Sequence, residues 1–274
     1  MVKVSIILPT YNGSKFISLA IDSVLKQNYS DWELIVINDG STDNTAKLIQ
    51  DYQRQDRRIK YLKNEKNLGI QKSLNKGLNQ AAGELIARLD DDDLWLDNDK
   101  LKKQVDFLNN HPNHLLVGCG TVMVDQAGKE LLRYLLPAQD AEIRERILGK
   151  NCFTHSAVLF RKESVLQLKG YSESPEVLHI EDYDLWLKLG TVGKLANLPF
   201  YGVKFMIRPT AISVTNKVHQ FKKNLKLTRQ YKKQYPGFVR ALCRGYARLW
   251  LYGFFNLIPL AILKNKILKV YKES

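Results

Sequence analysis

Cysteine is scarce in this chain, and the few thiols form no pattern. The 274 residues include three cysteines, Cys119, Cys152 and Cys243, with neither paired nor metal-type spacing. A disulfide framework is therefore not expected, and a reducing compartment is favoured. No basic segment or cleavage site precedes the first apolar stretch, so we expect no signal peptide and a cytoplasmic protein.

Two further absences concern membranes and nucleotides. The uncharged run Leu249–Leu263 has 15 residues and is interrupted by Pro259, whereas a helix that spans a bilayer needs roughly 20. The sequence has no Gly-x-Gly-x-x-Gly fingerprint and no Walker-type lysine. A dehydrogenase or an ATPase would therefore lack its usual phosphate cradle.

Acidic residues are almost absent from the last part of the chain. Residues 216–274 hold 14 Lys and Arg against one acid, a charge of +13, whereas residues 1–215 hold 28 basic and 27 acidic residues, a charge of +1. A near-neutral body with a strongly basic tail indicates two different roles. We therefore predict a folded body over 1–215 and a basic helical tail over 216–274.

The body alternates apolar strands with helical patterns. Four short runs rich in aliphatic residues are predicted as strands, and the first two are apolar enough to be buried in a parallel sheet: Val2–Leu8, Trp32–Asn38, Ile59–Leu62 and Leu85–Leu89. Helical spacing separates them, for example over Ile70–Ala81. This alternation predicts an α/β fold with a Rossmann-like, mainly parallel, doubly wound sheet and helices on both faces.

Three polar loops follow predicted strands, so they are expected at one edge of the sheet. Residues 9–13 follow the first strand, residues 39–43 the second, and Asp90–Asp93 the fourth. In open parallel sheets, ligands bind outside the carboxyl ends of the strands. Each loop alone could be a simple turn. Their convergence favours a site for a nucleotide and a metal ion.

The four consecutive aspartates Asp90–Asp93 carry the strongest chemical signal. Adjacent like charges repel one another, and carboxylate oxygens suit Mg²⁺ or Mn²⁺, which readily bridge to substrate phosphates. The alternative is a solvated acidic loop whose last aspartate caps a following helix, roughly Asn98–Asn110.

These motifs resemble the family 2 glycosyltransferases of the GT-A fold, which use nucleotide-sugar donors. The resemblance covers about residues 2–213 and is carried by four ordered segments: Val4–Gly13, Asn38–Asp43, Asn67–Gly69 and Ile86–Asp93. It implies that Thr10 and Tyr11 frame the base and that Asp39 accepts the N3–H of uracil. Further donor-side residues implied are Pro9, Asn12, Asn67, Gly69, Arg88 and Asp91.

The resemblance also implies a metal site. Asp90 and Asp92 match the two carboxylates of the family's DxD motif, which contact ribose and a Mn²⁺ or Mg²⁺ ion. The family usually has a small residue between them, whereas this chain has Asp91. Which carboxylate contacts the ion is therefore left open.

The acceptor side resembles the family in a second acidic motif. Glu181 and Asp182 match its Glu-Asp pair, in which the aspartate is the general base that deprotonates the acceptor hydroxyl, giving inversion at the anomeric carbon. Trp186 follows on the same predicted helix and is assigned to the acceptor side. The alternative is an acidic helix N-terminus with Trp186 in the core.

Two positions depart from the family pattern. His155 stands at the family's histidine, but Ser156 replaces the usual proline; we interpret His155 as lining the acceptor side. Arg208 occupies the position of a histidine that can hold the diphosphate or the metal. An arginine can pair with phosphate but cannot ligate a cation.

The tail is predicted to be helical and amphipathic. Lys217–Lys233 carries seven basic residues, and a second helix is expected after Pro236 and Gly237. The aromatic content and basic flanks of Leu249–Leu263 favour in-plane binding to an anionic membrane. The alternative is that this run packs on the catalytic domain.

Taken together, the sequence predicts a metal-dependent inverting glycosyltransferase of hexosyltransferase type, peripheral at the inner face of the cell membrane. It would move a sugar from a UDP- or dTDP-sugar to a hydroxyl of a glycan or a polyprenyl-linked acceptor, in bacterial surface polysaccharide synthesis.

Two alternative functions remain. One is a metal-dependent nucleotidyltransferase. The weaker one is a nucleic-acid-binding protein, suggested by a pI of 9.5, although the positive charge is confined to the tail.

Overall fold

The computed structural model describes residues 3–208 and 217–256, with side chains up to Leu251. The strands are β1 (Val4–Thr10), β2 (Trp32–Asn38), β3 (Ile59–Lys63), β4 (Leu85–Arg88), β5 (Leu94–Trp95), β6 (His114–Val124), β7 (Glu130–Tyr134), β8 (Leu159–Arg161) and β9 (Lys194–Met206). The helices are α1 (Ile17–Leu25), α2 (Thr45–Gln55), α3 (Ile70–Gln80), α4 (Lys100–Asn110), α5 (Asp140–Ile147), α6 (Lys162–Gln167), α7 (Glu181–Val192), α8 (Lys217–Gln230) and α9 (Phe238–Asn256).

The first half forms the predicted parallel sheet. Strands β3, β2, β1 and β4 lie side by side in that order, and each adjacent pair is parallel. Every residue of β1, β2 and β4 is buried, as their continuous aliphatic sequences require. One apolar cluster packs α1, α2 and α4 against the sheet, and a second packs α3, α5, α6 and α7. The prediction of helices on both faces is confirmed.

The second half extends the sheet with mixed strand directions. β8 is antiparallel to both β4 and β6, whereas β6 is parallel to β9, and β5 and β7 are antiparallel additions. The sequence did not predict β9, whose 13 residues include Pro199 and Gly202 and whose register with β6 shifts near Gly120. The pairing of β9 with β5 brings the end of β9 close to the aspartate loop.

The helices of the basic tail pack on the catalytic domain. Leu227, Tyr231 and Tyr235 are buried in the same apolar cluster as Trp186 and Leu187. Hydrogen bonds join the two parts: Thr228 Oγ1 donates to the Leu148 carbonyl at 2.9 Å, and Tyr235 Oη donates to the Leu187 carbonyl at 2.7 Å. The boundary at residue 215 stays a prediction. The apolar face of α8, however, is turned to the protein.

We expect Leu227→Ala to lower the free energy of unfolding of the whole catalytic domain by about 2–5 kcal/mol, because Leu227 is 2% exposed and its removal leaves a cavity. Urea unfolding followed by tryptophan fluorescence measures this loss. Lys232→Ala, at an exposed position after α8, is the control and should change little. A loss under about 0.5 kcal/mol in Leu227→Ala would show that the tail folds separately.

Within the described residues, none of the helices combines the length and the apolarity that crossing a bilayer requires. Most of the predicted membrane-binding run Leu249–Leu263 lies outside the described side chains. At its start, Trp250 is 67% exposed.

Candidate active site

The three predicted loops meet at the carboxyl edge of β1, β2 and β4. Thr10, at the end of β1, donates its hydroxyl to Asp91 Oδ2 at 2.5 Å, and its carbonyl accepts from the backbone N–H of Asp39 at 2.9 Å. Asn12 joins the loop 9–13 to the loop 39–43, since its N–H donates to Ser41 Oγ and its side-chain oxygen accepts from the N–H of Thr42, both at 2.9 Å. The sheet edge therefore carries one connected loop cluster, as the sequence predicted.

Asp39 is a buried carboxylate held in a fixed orientation. Its side chain accepts from Asn64 Nδ2 at 2.8 Å and from the backbone N–H groups of Leu68 and Gly69, both at 2.9 Å. Gly69 has a φ of +89°, a conformation that favours glycine. A carboxylate has about four acceptor positions, so one acceptor position on Oδ2 remains for a ligand.

The other predicted donor-side residues surround Asp39. Tyr11 follows β1 and is 49% exposed, so its ring face is open to a planar ligand. Asn12 has a positive φ of +53°, which asparagine tolerates better than most residues. Pro9 is a buried residue of β1, and Asn67 Oδ1 accepts from the N–H of Gly69 at 3.0 Å. Pro9 and Asn67 thus shape the walls of this cluster.

Arg88 is fully buried and connects the sheet to the aspartate loop. Its guanidinium donates to the carbonyls of Ile7 and Leu89, to Asp90 Oδ1 at 2.5 Å and to His155 Nε2 at 3.0 Å. Because this side chain is 0% exposed, it acts on a ligand through Asp90. The resemblance implied that Arg88 contacts the nucleotide; with this geometry, any such contact would be indirect and made through Asp90.

His155 supports Arg88 through its Nε2 atom. Its Nε2 accepts from Arg88 and lies 3.1 Å from Tyr171 Oη. Burial and the neighbouring Arg88 charge lower the pKa of His155 to about 3. His155 is therefore neutral near pH 7, and its described contacts position Arg88.

The four aspartates have four different surroundings. Burial opposes ionisation of Asp90, but the Arg88 guanidinium holds its pKa below the usual range. Burial and the neighbouring Asp92 and Asp90 charges raise the pKa of Asp91 to about 7. Asp93 is 1% exposed and accepts from Ser156 Oγ at 2.5 Å and from the N–H of Met206 at 3.1 Å. Asp93 therefore joins the loop to β9 and does not cap α4.

Asp92 faces Arg208, the residue that replaces the family's histidine. The two form an ion pair, and burial together with the Asp90 charge raises the pKa of Asp92. Arg208 Nε is buried and has no hydrogen-bond partner among the described residues. Arg208 is thus placed beside the aspartates, with one N–H available to a ligand.

Asp90 and Asp92 fit a divalent ion whose coordination a ligand completes. Within residues 3–208 and 217–251, no group of three or more His, Cys, Asp or Glu side chains could hold a metal by itself. Asp90 and Asp92 lie in the same loop, and the charge of Asp90 helps to raise the pKa of Asp92. These two carboxylates nevertheless provide the oxygen ligands and the excess negative charge that suit Mg²⁺ or Mn²⁺. The remaining ligands would be oxygens of a bound diphosphate or water.

The second acidic motif lies at the N-terminus of α7. Asn151 Nδ2 donates to Asp182 Oδ2 at 2.9 Å, and Glu181 Oε2 accepts from the N–H of His179 at 2.7 Å. Burial raises the pKa of Asp182 to about 6, and the Asp90 charge adds to this rise. Burial and the Asp182 charge raise the pKa of Glu181 to about 7. A carboxylate with a raised pKa is suited to accept a proton near neutral pH.

Trp186 does not line the acceptor side. Its side chain is 0% exposed and packs edge-on against Phe153 and His155, with Phe160 also in contact. It lies one helical turn beyond Asp182, on the face of α7 that packs on the sheet. The core interpretation of this residue is therefore the correct one.

Three supporting residues were not predicted as part of the site. Asn64 orients Asp39, Asn151 orients Asp182, and Ser156 donates to Asp93 and also lies 3.3 Å from Asp90 Oδ2. Each acts on a residue far away in sequence, so no local pattern identifies it. Of the three, Ser156 alone was noticeable in the sequence, because it occupies a position at which family 2 glycosyltransferases usually have proline.

The twisted mixed sheet, the carboxylates gathered at its edge and the acidic helix N-terminus define a GT-A-type transferase. Accordingly, the chain belongs to glycosyl transferase family 2, whose sequence profile matches residues 5–168. WfgD of Escherichia coli, named UDP-Glc:alpha-D-GlcNAc-diphosphoundecaprenol beta-1,3-glucosyltransferase, is 32% identical over 222 residues, which are 80% of this chain and 83% of WfgD.

Solved structures show the same fold. TarS of S. aureus (residues 1–349), crystallised with UDP-GlcNAc, has a TM-score of 0.73 at 19% identity, covering 96% of this chain and 78% of the other. The mannosyltransferase PcManGT of Pyrobaculum calidifontis, in complex with GDP-Man and Mn²⁺, has a TM-score of 0.65 at 18% identity, covering 99% and 79%. The GT-A fold predicted from the sequence is confirmed.

Proposed function

We propose that this glycosyltransferase moves a sugar, with inversion, from a UDP- or dTDP-sugar to a hydroxyl of a glycan or lipid-linked acceptor, in bacterial surface polysaccharide synthesis. The observation that carries the proposal is the proximity of two acidic groups. Arg88 donates to Asp90 and to His155, and His155 packs on Trp186, which lies one helical turn after Asp182. The charge of Asp90 also helps to raise the pKa of Asp182. A proton acceptor and a site for an anionic leaving group thus share one site.

The reacting groups take the following roles in this proposal. Asp182 accepts the proton of the acceptor hydroxyl while that oxygen bonds to the anomeric carbon of the donor, and the bond to the diphosphate oxygen breaks on the opposite side. Sugar hydroxyls are poor nucleophiles at neutral pH, so a positioned carboxylate is needed. Asn151 holds Asp182 in place, and Glu181, turned toward the backbone of His179, supports the start of α7.

The leaving diphosphate needs positive charge beside it. A Mg²⁺ or Mn²⁺ ion held by Asp92 and Asp90 would act as a Lewis acid on the diphosphate. In this chain, Arg208 adds a guanidinium next to Asp92, and its buried Nε–H can donate to a phosphate oxygen. Arg88 fixes Asp90, and Asp91 is held by Thr10 on the side of the nucleotide.

Base selection rests on Asp39 and Tyr11. The free acceptor position of Asp39 suits the single N3–H of a uracil or thymine, and the exposed ring of Tyr11 can stack on the pyrimidine. Pro9, Asn12, Asn67 and Gly69 shape the surrounding loops. A purine base would not present the same N–H at this depth.

We expect calorimetry in Mn²⁺ to show UDP and dTDP binding about 10–100-fold more tightly than GDP or ADP. The reason is that a purine would leave the Asp39 acceptor unpaired, which costs about 1–3 kcal/mol. The wild-type protein suffices, because the four nucleotides serve as controls for one another. Preferred binding of GDP would refute the role of Asp39, and equal binding of all four would show that only the diphosphate is recognised.

We also propose that the enzyme works at the inner face of the cell membrane. Its tail carries a charge of +13, and basic residues near an anionic leaflet contribute roughly 1 kcal/mol each. Because α8 shares the core, the full chain is the material to test. It should cosediment with phosphatidylglycerol vesicles at low salt and not with phosphatidylcholine vesicles; indifference to both lipids would contradict membrane association.

A further inference from the structure

Beside Asp182 the structure contains a cavity of about 450 Å³ that the donor site does not use. The cavity is lined by β7 and the segment that follows it, including Tyr134 and Leu135, and by residues 150–154. Asn151 lines this cavity, and its side-chain amide is bonded to Asp182. A residue that lines the cavity thus contacts the proposed general base, so the cavity lies one side chain away from Asp182.

A second cavity, of about 230 Å³, adjoins the first. It lies between the end of α5 and the start of α9, and four cationic side chains line it: Arg146, Lys150, Arg240 and Arg244. Arg146 and Lys150 line both cavities. The two spaces thus share a wall of positive charge, which begins one residue before Asn151.

These cations are poorly neutralised within the protein. Among the described residues that line the second cavity, the one acidic side chain is Glu145, which pairs with Arg240 at 3.1 Å. In the described ranges, 3–208 and 217–251, no carboxylate forms an ion pair with Arg146, Lys150 or Arg244. Arg248 Nη1 donates to the Gly149 carbonyl at 3.0 Å and so brings a further positive charge beside the loop.

The positive charges of the cluster repel one another, and this repulsion is strongest at Lys150 and Arg244, which are half-buried. Burial, with the charges of Arg248 and Arg244, lowers the pKa of Lys150, and burial with Arg244 lowers the pKa of Arg248 to about 10. An anion with several oxygens would relieve this repulsion. Guanidinium groups match phosphate oxygens in bidentate fashion, which makes a phosphate or a diphosphate the best-fitting class of ligand.

We propose that the acceptor is a sugar carried on a diphosphate, and that Arg146, Lys150 and Arg244 bind this diphosphate while the sugar reaches Asp182 through the larger cavity. The proposal rests on the proposed function, since it assigns the acceptor of that same site. It is distinct from the donor site, whose diphosphate lies at the aspartate loop beside Arg208. A lipid attached to the diphosphate would continue along the surface of α9, near Trp250.

The test measures binding of farnesyl diphosphate to the full chain by calorimetry in EDTA, so that no metal bridges the diphosphate to the aspartates. We expect wild-type protein to bind farnesyl diphosphate and not farnesol. Arg146→Gln and Arg244→Gln should each weaken this binding about 10–100-fold, because each removes a charged hydrogen bond. The matched control is Lys232→Gln, which removes one exposed positive charge outside the cluster and should bind as the wild type does.

The same variants distinguish binding at the cationic cluster from binding at the donor site and from binding to lipid headgroups. Arg146 is exposed, so Arg146→Gln should fold, and unchanged UDP binding in Mn²⁺ would verify both the fold and the donor site. The proposal is overturned if the wild type does not bind farnesyl diphosphate, if farnesol binds equally, or if Lys232→Gln loses as much affinity. It is also overturned if the cluster variants lose binding to phosphatidylglycerol vesicles while keeping farnesyl diphosphate affinity, which would identify a lipid-headgroup site. Cluster-dependent binding of farnesyl diphosphate in a protein that binds neither UDP nor dTDP would instead refute the donor given in the proposed function and leave the anion site standing.

Discussion

Replacing Asp182 by asparagine should lower turnover by about 10²–10⁴-fold while leaving donor affinity nearly unchanged. Asparagine keeps the size of the side chain but cannot accept the proton of the acceptor hydroxyl, and a general base contributes about this factor. Steady-state kinetics give turnover, and UDP calorimetry in Mn²⁺ gives donor-site affinity. The matched control is Asp106→Asn, the same chemical change on the exposed face of α4, which should behave as the wild type does.

The pH dependence of activity distinguishes a general base from a residue that only stabilises the fold. Burial raises the pKa values of Asp182 and Glu181 to about 6 and about 7, and a base works only when deprotonated. Wild-type activity should therefore fall as the pH drops through about 7 to 6, by roughly tenfold per unit below that range. The Asp182→Asn variant should lose this acid limb. Turnover within a few-fold of wild type, or an unchanged acid limb, would exclude Asp182 as the base.

Removal of divalent ions should abolish transfer. The leaving diphosphate has Arg208 beside it, but one guanidinium already paired with Asp92 does not balance two developing charges, so a Lewis acid is needed. EDTA should bring activity to background, and added Mn²⁺ or Mg²⁺ should restore it. Full activity in EDTA would show that Arg208 and other positively charged side chains stabilise the leaving diphosphate without a metal ion.

The Asp92→Asn variant tests which carboxylate binds the divalent ion. Asp92→Asn should raise the Mn²⁺ concentration for half-maximal UDP binding by at least about tenfold, because an amide is a weaker ligand than a carboxylate for a hard cation. Asp106→Asn is again the control. If Asp92→Asn keeps the wild-type Mn²⁺ dependence while Asp90→Asn does not, the ion is held by Asp90, and Asp92 serves Arg208.

The parallel half of the fold was predictable because its strands are continuous aliphatic runs. Trp32–Asn38 is predicted and observed with the same bounds, and Leu85–Leu89 differs by one residue. β9 was missed because Pro199 and Gly202 interrupt its pattern, and pairing with β6 and β5 keeps it extended all the same. The tail helices were predicted, but their packing was not, because Leu225 lies against Gly245 of α9 and Leu227 joins the apolar cluster that contains α7 only once the chain has folded.

The candidate site was predictable where a motif lies in one loop. Convergence of residues 9–13, 39–43 and 90–93 follows from strand direction alone, and the structure confirms it. The supporting contacts could not be derived in this way, since Asn64 and Asn151 become significant only when the fold brings them to Asp39 and Asp182. The apolar helical pattern around Trp186 is compatible with a core position and with a site position. In the structure its side chain is fully buried, so Trp186 is a core residue.

Product analysis with nucleotide sugars is the most direct test of the central claim, that this chain cleaves the bond between the sugar and the diphosphate. Wild-type protein would be incubated with UDP-glucose, UDP-N-acetylglucosamine and UDP-galactose in Mn²⁺, with and without added acceptor lipid extract. Released UDP and released pyrophosphate would be measured separately. The account predicts UDP and no pyrophosphate, at least slowly by transfer to water. Release of pyrophosphate from a nucleoside triphosphate, with no UDP from any nucleotide sugar, would contradict it and identify a nucleotidyltransferase.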